Sequence, residues 1–474
     1  MKYSSRAFGT LITIFFFWGF VAASNDILIP VFKKALNLSQ LKSQMISFAF
    51  YVAYTVGSLL YFGISAFLKQ DILNKLGYRN GLSLGLVISA LGTLLFIPAS
   101  NTASFELLIS GLFIVGLGFS LQQIAANPLA IQMGDPSKGN IRLSLAGGIN
   151  NVGTTIGPVI VAFAIFGSSQ AGEQTLNLEA VQTPYIVLGS AFLLAALLFK
   201  VSNLPDKLIQ EDQPEYSLIS MISIMKKPQV ILGMIAIFIY VGVEVSTAGN
   251  LPELMKQKLN FKEQDIAPYV SLFWASLMIG RWTSAAGAFT SNERMKIILG
   301  IVLPFVAFGI FLIVNSFSGT DLRIFYPYLI LIVVLIIADY ISRGNPSKQL
   351  IYYSLLGISS LIIGMFSSGM VSVFAFIAVG LFCSTLWPCI FTLSIAGLGA
   401  KTNTASSLLI MMIMGGGFIS TAQGALADTS IGIQNSYWVG VACFAYLIYF
   451  AIRTTSILKK EGIKIDSSIT SESH

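Results

Sequence analysis

Apolar residues fall along this chain in runs of about 18–25, broken by short polar stretches, the length that crosses a hydrocarbon core as helix. Six runs come first, near residues 8–31, 43–67, 80–99, 106–133, 143–168 and 183–202. A polar, proline-containing stretch, SNLPDKLIQEDQPEYS, then separates them from a second series. Its runs lie near 229–252, 267–290, 295–316, 324–341, 350–367, 371–396, 405–427 and 436–455. In lipid only helices and closed barrels satisfy every backbone group, and the alternating ten-residue segments of a barrel are absent. The pattern predicts an all-α polytopic membrane protein.

The two series repeat each other loosely. Phe50 to Gly57 in the second span and Phe273 to Gly280 in the eighth share an F-aromatic-x-small-x-x-x-G frame. Gly118 to Pro128 resembles Gly380 to Pro388 in the same way. Two similar halves around a central site is the plan of many secondary transporters. The expected division is an amino-terminal six-helix bundle (1–203), a cytoplasmic linker (204–228), a carboxy-terminal bundle (229–456) and a tail (457–474). The repeat is uneven, however. About 61 positions separate Gly57 from Gly118, and about 100 separate Gly280 from Gly380. The excess would hold two extra spans of roughly 20 residues each, so an inserted helix pair is expected near 293–345, giving about 14 spans.

Composition agrees with this picture. Of 474 residues 55% are hydrophobic and 10% charged, whereas a soluble chain carries about a quarter charged. The formal net charge of +7 resides in loops and reads as topology rather than nucleic-acid binding. With the amino terminus in the cytoplasm, the inner loops contain Lys75, Arg79, Lys200, Lys226, Lys227, Arg294, Lys296, Arg343, Lys459 and Lys460, and the outer segments 169–182 and 428–435 contain no basic residue. Lys33, Lys34, Lys42, Lys256, Lys258, Lys262 and Arg323 run against the rule, but the majority places both ends in the cytoplasm. Lys2 and Arg6 before an apolar core could open a signal peptide. A retained first helix is the simpler account, because the run continues past Ala22-Ala23-Ser24.

The chemistry on offer is narrow. The one histidine is His474, the last residue, so histidine relays, zinc sites and Ser-His-Asp catalysis are excluded. Cys383, Cys389 and Cys443 sit in apolar runs without metal or disulfide spacing. No phosphate-binding G-x-x-x-x-G-K-[ST] motif points to ATP use, and no cofactor is expected beyond a coupling ion, H+ or Na+. What remains is a small set of polar residues inside spans. Asp26, in FFFWGFVAASNDILIP, is an acid at membrane depth, where a charge costs about 2.5–3.5 kcal/mol on insertion scales. It reads as a carboxylate that loads and releases a proton, or as a helix-end acid paired with Lys33 or Lys34. Asn25 beside it offers an amide to a sugar or to that carboxyl group. Gln123 and Asn127 share a face of the fourth span, and Asn150 and Thr154 share one on the fifth. Amides can bind vicinal hydroxyls, or hold helices together at about 0.6 kcal/mol each. Glu244 is a second embedded acid, either a coupling group or the partner of Arg281 in a structural ion pair. Asp339 reads as an interfacial anchor, and Trp387, before Pro388, as an indole that could cover a sugar ring.

At these residues the chain resembles a known family. WGFVAASNDILIP, LQQIAANP from Leu121, RLSLAGGINNVGTTIGP from Arg142, YVGVEVS from Tyr240, MIGRW from Met278 and FCSTLWPCIFTLSIAGLG from Phe382 are similar to the fucose/glucose/galactose sugar symporters of the major facilitator superfamily. The resemblance covers most of both halves, though not 293–345. It implies alternating access and uptake of a monosaccharide together with a cation across the inner membrane. It assigns Asp26 as the protonatable aspartate of helix 1, Asn150 as a sugar-contacting asparagine and Trp387 as an aromatic near the sugar. Gln123 stands where the fucose branch has a glutamate, and Gly147 and Ala23 where it has a glutamine and an asparagine, which places the chain nearer the glucose/galactose branch. The expectation is therefore a hexose of the glucose/galactose type carried by proton symport in a monomer, with sodium symport and drug or metabolite export as alternatives. A membrane-embedded enzyme would need a reactive acid pair or metal cluster that the sequence lacks.

Overall fold

The computed structural model describes residues 5–68, 72–133, 139–166, 179–206, 223–284, 292–317, 320–398 and 402–463. Most of the expected linker and of the tail lies outside these residues. The amino-terminal half consists of α1 (Ser5–Ala35), α2 (Gln40–Leu68), α3 (Tyr78–Leu94), α4 (Phe105–Gln132), α5 (Gly139–Phe166) and α6 (Glu179–Val201). The other half begins with α7 (Pro228–Leu259), α8 (Ala267–Ser284), α9 (Glu293–Ser316), α10 (Leu329–Ser342) and α11 (Pro346–Phe366). Next come α12 (Gly369–Cys383), α13 (Leu386–Ile395), α14 (Thr402–Met411), α15 (Gly415–Ala427) and α16 (Trp438–Lys460). The twelfth expected span is thus two helices broken before Pro388, and the thirteenth is two helices joined by a 3-10 turn at Met412–Met414.

Thirteen helices among the described residues are long and apolar enough to cross a membrane. The one expected span not among them, the eighth (α8), falls below that hydropathy because it carries Arg281 and several serines. Nearly all of it is buried, so its polar side chains face protein rather than lipid. The expected insertion is a pair of helices, α9 and a second span from Leu322 to Ser342, and these are the two least buried of the thirteen. They attach to α8 by polar contacts at three levels. Asn315 Nδ2 donates to Ser271 Oγ (3.2 Å), Tyr328 OH pairs with Ser276 Oγ (2.6 Å), and Ser284 Oγ donates to Asp339 (2.6 Å). Asp339 also accepts from Gln349 Nε2 (2.9 Å) and Tyr353 OH (3.4 Å). It is a hub joining α8, α10 and α11.

Small residues fix how α1 lies in its bundle. A Cβ on Gly19 would sit 2.0 Å from the Asn150 carbonyl oxygen, and one on Gly153 2.2 Å from that of Phe16. Backbone therefore meets backbone between α1 and α5, which is how membrane helices gain close packing. The halves meet chiefly through α2 against α15 and α5 against α8.

Candidate functional site

Asp26 lies nine residues before the end of α1, about 13 Å from it at 1.5 Å per residue. It is 4% exposed. Its Oδ2 accepts a 2.7 Å hydrogen bond from Trp274 Nε1 of α8, across the two halves. Lys33 and Lys34 do not neutralise it. Lys33 Nζ lies 2.7 Å from Glu253 and donates to Gln40 Oε1 (2.8 Å), while Lys34 lies 3.8 Å from Glu263. Among the described residues Asp26 forms no ion pair. Trp274 was not singled out from the sequence, although it sits seven residues before Arg281, two turns along one face of a helix.

Below Asp26 the amino-terminal wall is aromatic and amide-bearing. The Tyr51 and Tyr54 rings stack with centroids 6.3 Å apart, and the Tyr51 hydroxyl is within electrostatic reach of both Asp26 and Glu244. Gln123 lies beside the Tyr54 hydroxyl. Its neighbour Gln122, about 100° round the helix, accepts from Trp18 Nε1 (3.0 Å) and donates to Ser89 (3.1 Å), tying α1, α3 and α4 together. Of the two adjacent amides one is bundle glue, and Gln123 is the one left facing the tyrosines. Asn25 is buried and Asn127 half-buried. Asn150 spends its Nδ2 on the Phe15 carbonyl (3.0 Å), in the α1–α5 contact.

The opposite wall holds the second acid. Tyr240 OH donates to Glu244, one turn along α7. The direct Glu244–Arg281 ion pair expected from the sequence is absent among the described residues. Arg281 is close enough to Glu244 to interact through space, but it donates to Asn151 Oδ1 (3.1 Å) in the other half and to the Ser384 carbonyl (3.2 Å). A guanidinium fork matches two separate oxygens at different angles better than an ammonium could. Asn151 is therefore a second polar contact between the halves at this site. Trp387 is half-buried between Tyr240 (ring centroids 6.3 Å apart) and Phe391 (6.2 Å). Asp26, Gln123, Glu244, Arg281 and Trp387 thus come together around the seam, whereas Asn150 is committed in part to packing.

One end of the seam is closed by a dense polar lock. Asp428, just past α15, accepts from the backbone N–H groups of Gln40 and Leu41 (both 2.8 Å) at the start of α2. Those groups have no partner within their own helix, and the helix dipole favours an acid there. Gln40 Nε2 donates to Asn250 Oδ1 (2.8 Å) and Gln44 Nε2 to the Gly249 carbonyl (3.1 Å). Outside the spans, Glu263 is pushed up by burial but held below its ordinary value of 4.5 by Lys256 (2.7 Å) and the charge of Lys34. A depressed carboxyl pKa contributes stability above that value and loses it only as pH falls through the lower one, so these bridges persist at every pH above about 4.5.

Family comparison gives this architecture its place. The Major Facilitator Superfamily model matches residues 7–344. The chain belongs to that superfamily. It is 31% identical to a glucose/galactose transporter of Brucella abortus over 94% of this chain and 93% of that protein. It is 27% identical to the L-fucose-proton symporter of Escherichia coli over 94% of this chain and 92% of that one. The fold superposes on a crystal structure of the Escherichia coli fucose:proton symporter with a TM-score of 0.63 and 25% identity, covering 96% and 99% of the two chains. The superfamily member described here is a multi-pass membrane protein of the same all-α architecture.

Proposed function

We propose that this protein carries a monosaccharide, a hexose of the glucose/galactose type, across the cytoplasmic membrane in symport with a proton. The observation that carries the reading is Asp26, a buried acid with no ion pair among the described residues, held by Trp274 at the seam where the two halves meet. An acid so placed is comfortable only when it is neutral or when the seam opens, and that links a proton to a conformation. The names of the relatives supply the sugar and the symport, and Gln123 supplies the amide that separates this chain from a two-carboxylate site.

The sugar would be held between the Gln123 amide and the Trp387 face, with Asn25, Asn127 and the free oxygen of Asn150 as further hydrogen-bonding groups. Tyr51, Tyr54 and Tyr240 offer apolar faces to its C–H edges and hydroxyls to its oxygens. Glu244, tied to Tyr240 and near Arg281, is the second candidate for coupling. With both termini in the cytoplasm, the lock formed by Lys33, Gln40, Glu253 and Asp428 lies on the outer side, and this conformation is closed to the outside. The protein works as a monomer on this reading, each chain holding one site.

A panel of radiolabelled hexoses, hexosamines and deoxyhexoses in proteoliposomes tests it. Glucose or galactose should accumulate under an imposed pH gradient, and accumulation should survive removal of sodium at fixed pH. Accumulation that follows sodium instead moves the coupling to that ion, and failure to accumulate any sugar under either gradient rejects the assignment.

A further inference from the structure

Two oxygens near the Asp26–Trp274 contact accept from no donor among the described residues, and one of them is fully buried. The first is Asp26 Oδ1; Trp274 satisfies only Oδ2. The second is Oε1 of Gln44 on α2, a fully buried side chain whose Nε2 bonds to the Gly249 carbonyl but whose oxygen meets no partner. Both flank the same spot. A Cβ on Gly249 of α7 would stand 3.1 Å from Gln44 Oε1 and 3.8 Å from Asp26 Oδ1. With the carboxyl ionised, the buried Gln44 Oε1 would face a second acceptor and no proton, which costs free energy for a buried oxygen. One proton on Asp26 Oδ1 supplies the missing donor for Gln44 Oε1, directly or across one water.

We infer that Gln44 is a positioning residue that senses the proton on Asp26: the amide oxygen, held in place by Gly249 of the other half, stabilises closure of this end only when Asp26 is protonated. Trp274 fixes the carboxyl group from the α8 side, and its N–H can serve either protonation state because it needs only an acceptor. Gln44 is the discriminating partner because its oxygen can only accept. The side chain is held against Gly249 only while the halves meet, so the discrimination exists in the closed arrangement and vanishes when the end opens. The inference rests on the reading of Asp26 as the protonated group.

Other charges around the site are accounted for. On α1, Lys33 is paired with Glu253 of α7, and Lys34 lies near Glu263. On α2, Tyr51 lies within reach of Asp26. On α7, Glu244 accepts from Tyr240 and faces Arg281 of α8. Glu244 and Glu263 are the groups that could add their own pH dependence, and the experiment separates them from Asp26.

The test uses full-length protein in nanodiscs without sodium or sugar, with spin labels at exposed Lys42 on α2 and Lys258 on α7 reporting the distance across this end. The quantity read is the closing equilibrium constant at its acidic plateau, kept above pH 4.5, divided by that at its alkaline plateau. This ratio does not depend on how stable closure is in itself. In the parent protein it exceeds one, because acid favours closure. Gln44→Met, which keeps length but removes the acceptor, should lower the ratio about three- to tenfold, the span of one neutral hydrogen bond. Gly249→Ala, which keeps every polar group but wedges the two oxygens apart, should lower it in the same direction and serves if Gln44→Met does not fold. Gln40→Met loses a cross-half bond away from Asp26 and should change both plateaus equally, leaving the ratio intact. Asp26→Asn should lower the ratio at least as far as Gln44→Met does, to the remainder set by Glu244. If Asp26→Asn lowers the ratio while Gln44→Met and Gly249→Ala keep the parent ratio, the role of Gln44 is wrong and that of Asp26 stands. If Gln40→Met lowers the ratio as much as Gln44→Met, the effect is generic to the interface and the inference is equally wrong. If Asp26→Asn keeps the parent ratio, the reading of Asp26 itself fails.

Discussion

Asp26→Asn is expected to abolish accumulation of sugar under a pH gradient while leaving exchange of labelled for unlabelled sugar largely intact. An asparagine keeps the size of the side chain and an oxygen to accept from Trp274, so the helix contact across the halves survives. It has no exchangeable carboxyl proton, so the seam closes with or without a driving gradient. A carrier moving one proton per sugar sustains about a tenfold gradient per pH unit, since one pH unit and a factor of ten are both about 1.4 kcal/mol. The variant should reach no gradient at all, with internal and external sugar equal at steady state. Steady-state uptake in proteoliposomes measures this, and counterflow in the same vesicles checks that the variant still binds and reorients. Accumulation equal to the parent's would move the coupling to Glu244, which has no direct cationic partner among the described residues.

The second large effect is expected at the lock. Asp428→Ala removes an acid that caps two backbone N–H groups of α2 from the other half. Losing an N-terminal cap costs about 0.5–2 kcal/mol, and the groups left bare rejoin water when this end opens. Closure should weaken by about 2- to 30-fold, read as greater reactivity of a thiol introduced at Ala248, which is fully buried on α7 beside Gly249. Asp428→Asn, which keeps one acceptor, should fall between the two. Because Asp428 is distant in role from the proton, its loss should shift closure equally at acid and neutral pH. A pH-selective effect, or none, would show that the cap does not hold the end shut.

Much of the fold was legible in the sequence because lipid imposes a strict length on every span. The inserted pair was legible too, from the uneven spacing of the repeat, and it appears as α9 and the span from Leu322 to Ser342. The hydropathy pattern alone undervalues α8, since a helix shielded by neighbours on every side can carry Arg281, Ser271, Ser276 and Thr283. The site was legible by residue type, and less so by partner. Asp26 could be found as an acid in an apolar run, but Trp274 is an aromatic in an apolar helix, indistinguishable by composition from core. Arg281 looked like the partner of Glu244 because both are charges within spans. The fold instead turns its fork to Asn151 and the Ser384 carbonyl. Gln122 and Gln123 carry the same chemistry, and only the packing of α4 against α1 and α3 divides them into glue and site. Sequence spacing specifies which residues share a face of one helix; it does not say which other helix that face meets.

The claim that the protein couples sugar to proton movement is tested most directly by watching the proton itself. Proteoliposomes without any imposed gradient, suspended in weakly buffered medium with a pH dye outside, are given glucose or galactose. Downhill sugar entry should draw protons inward and make the medium alkaline in proportion to the sugar taken up, and Asp26→Asn should take up sugar slowly with no pH change. Sugar entry by the parent protein with no proton movement would contradict the account.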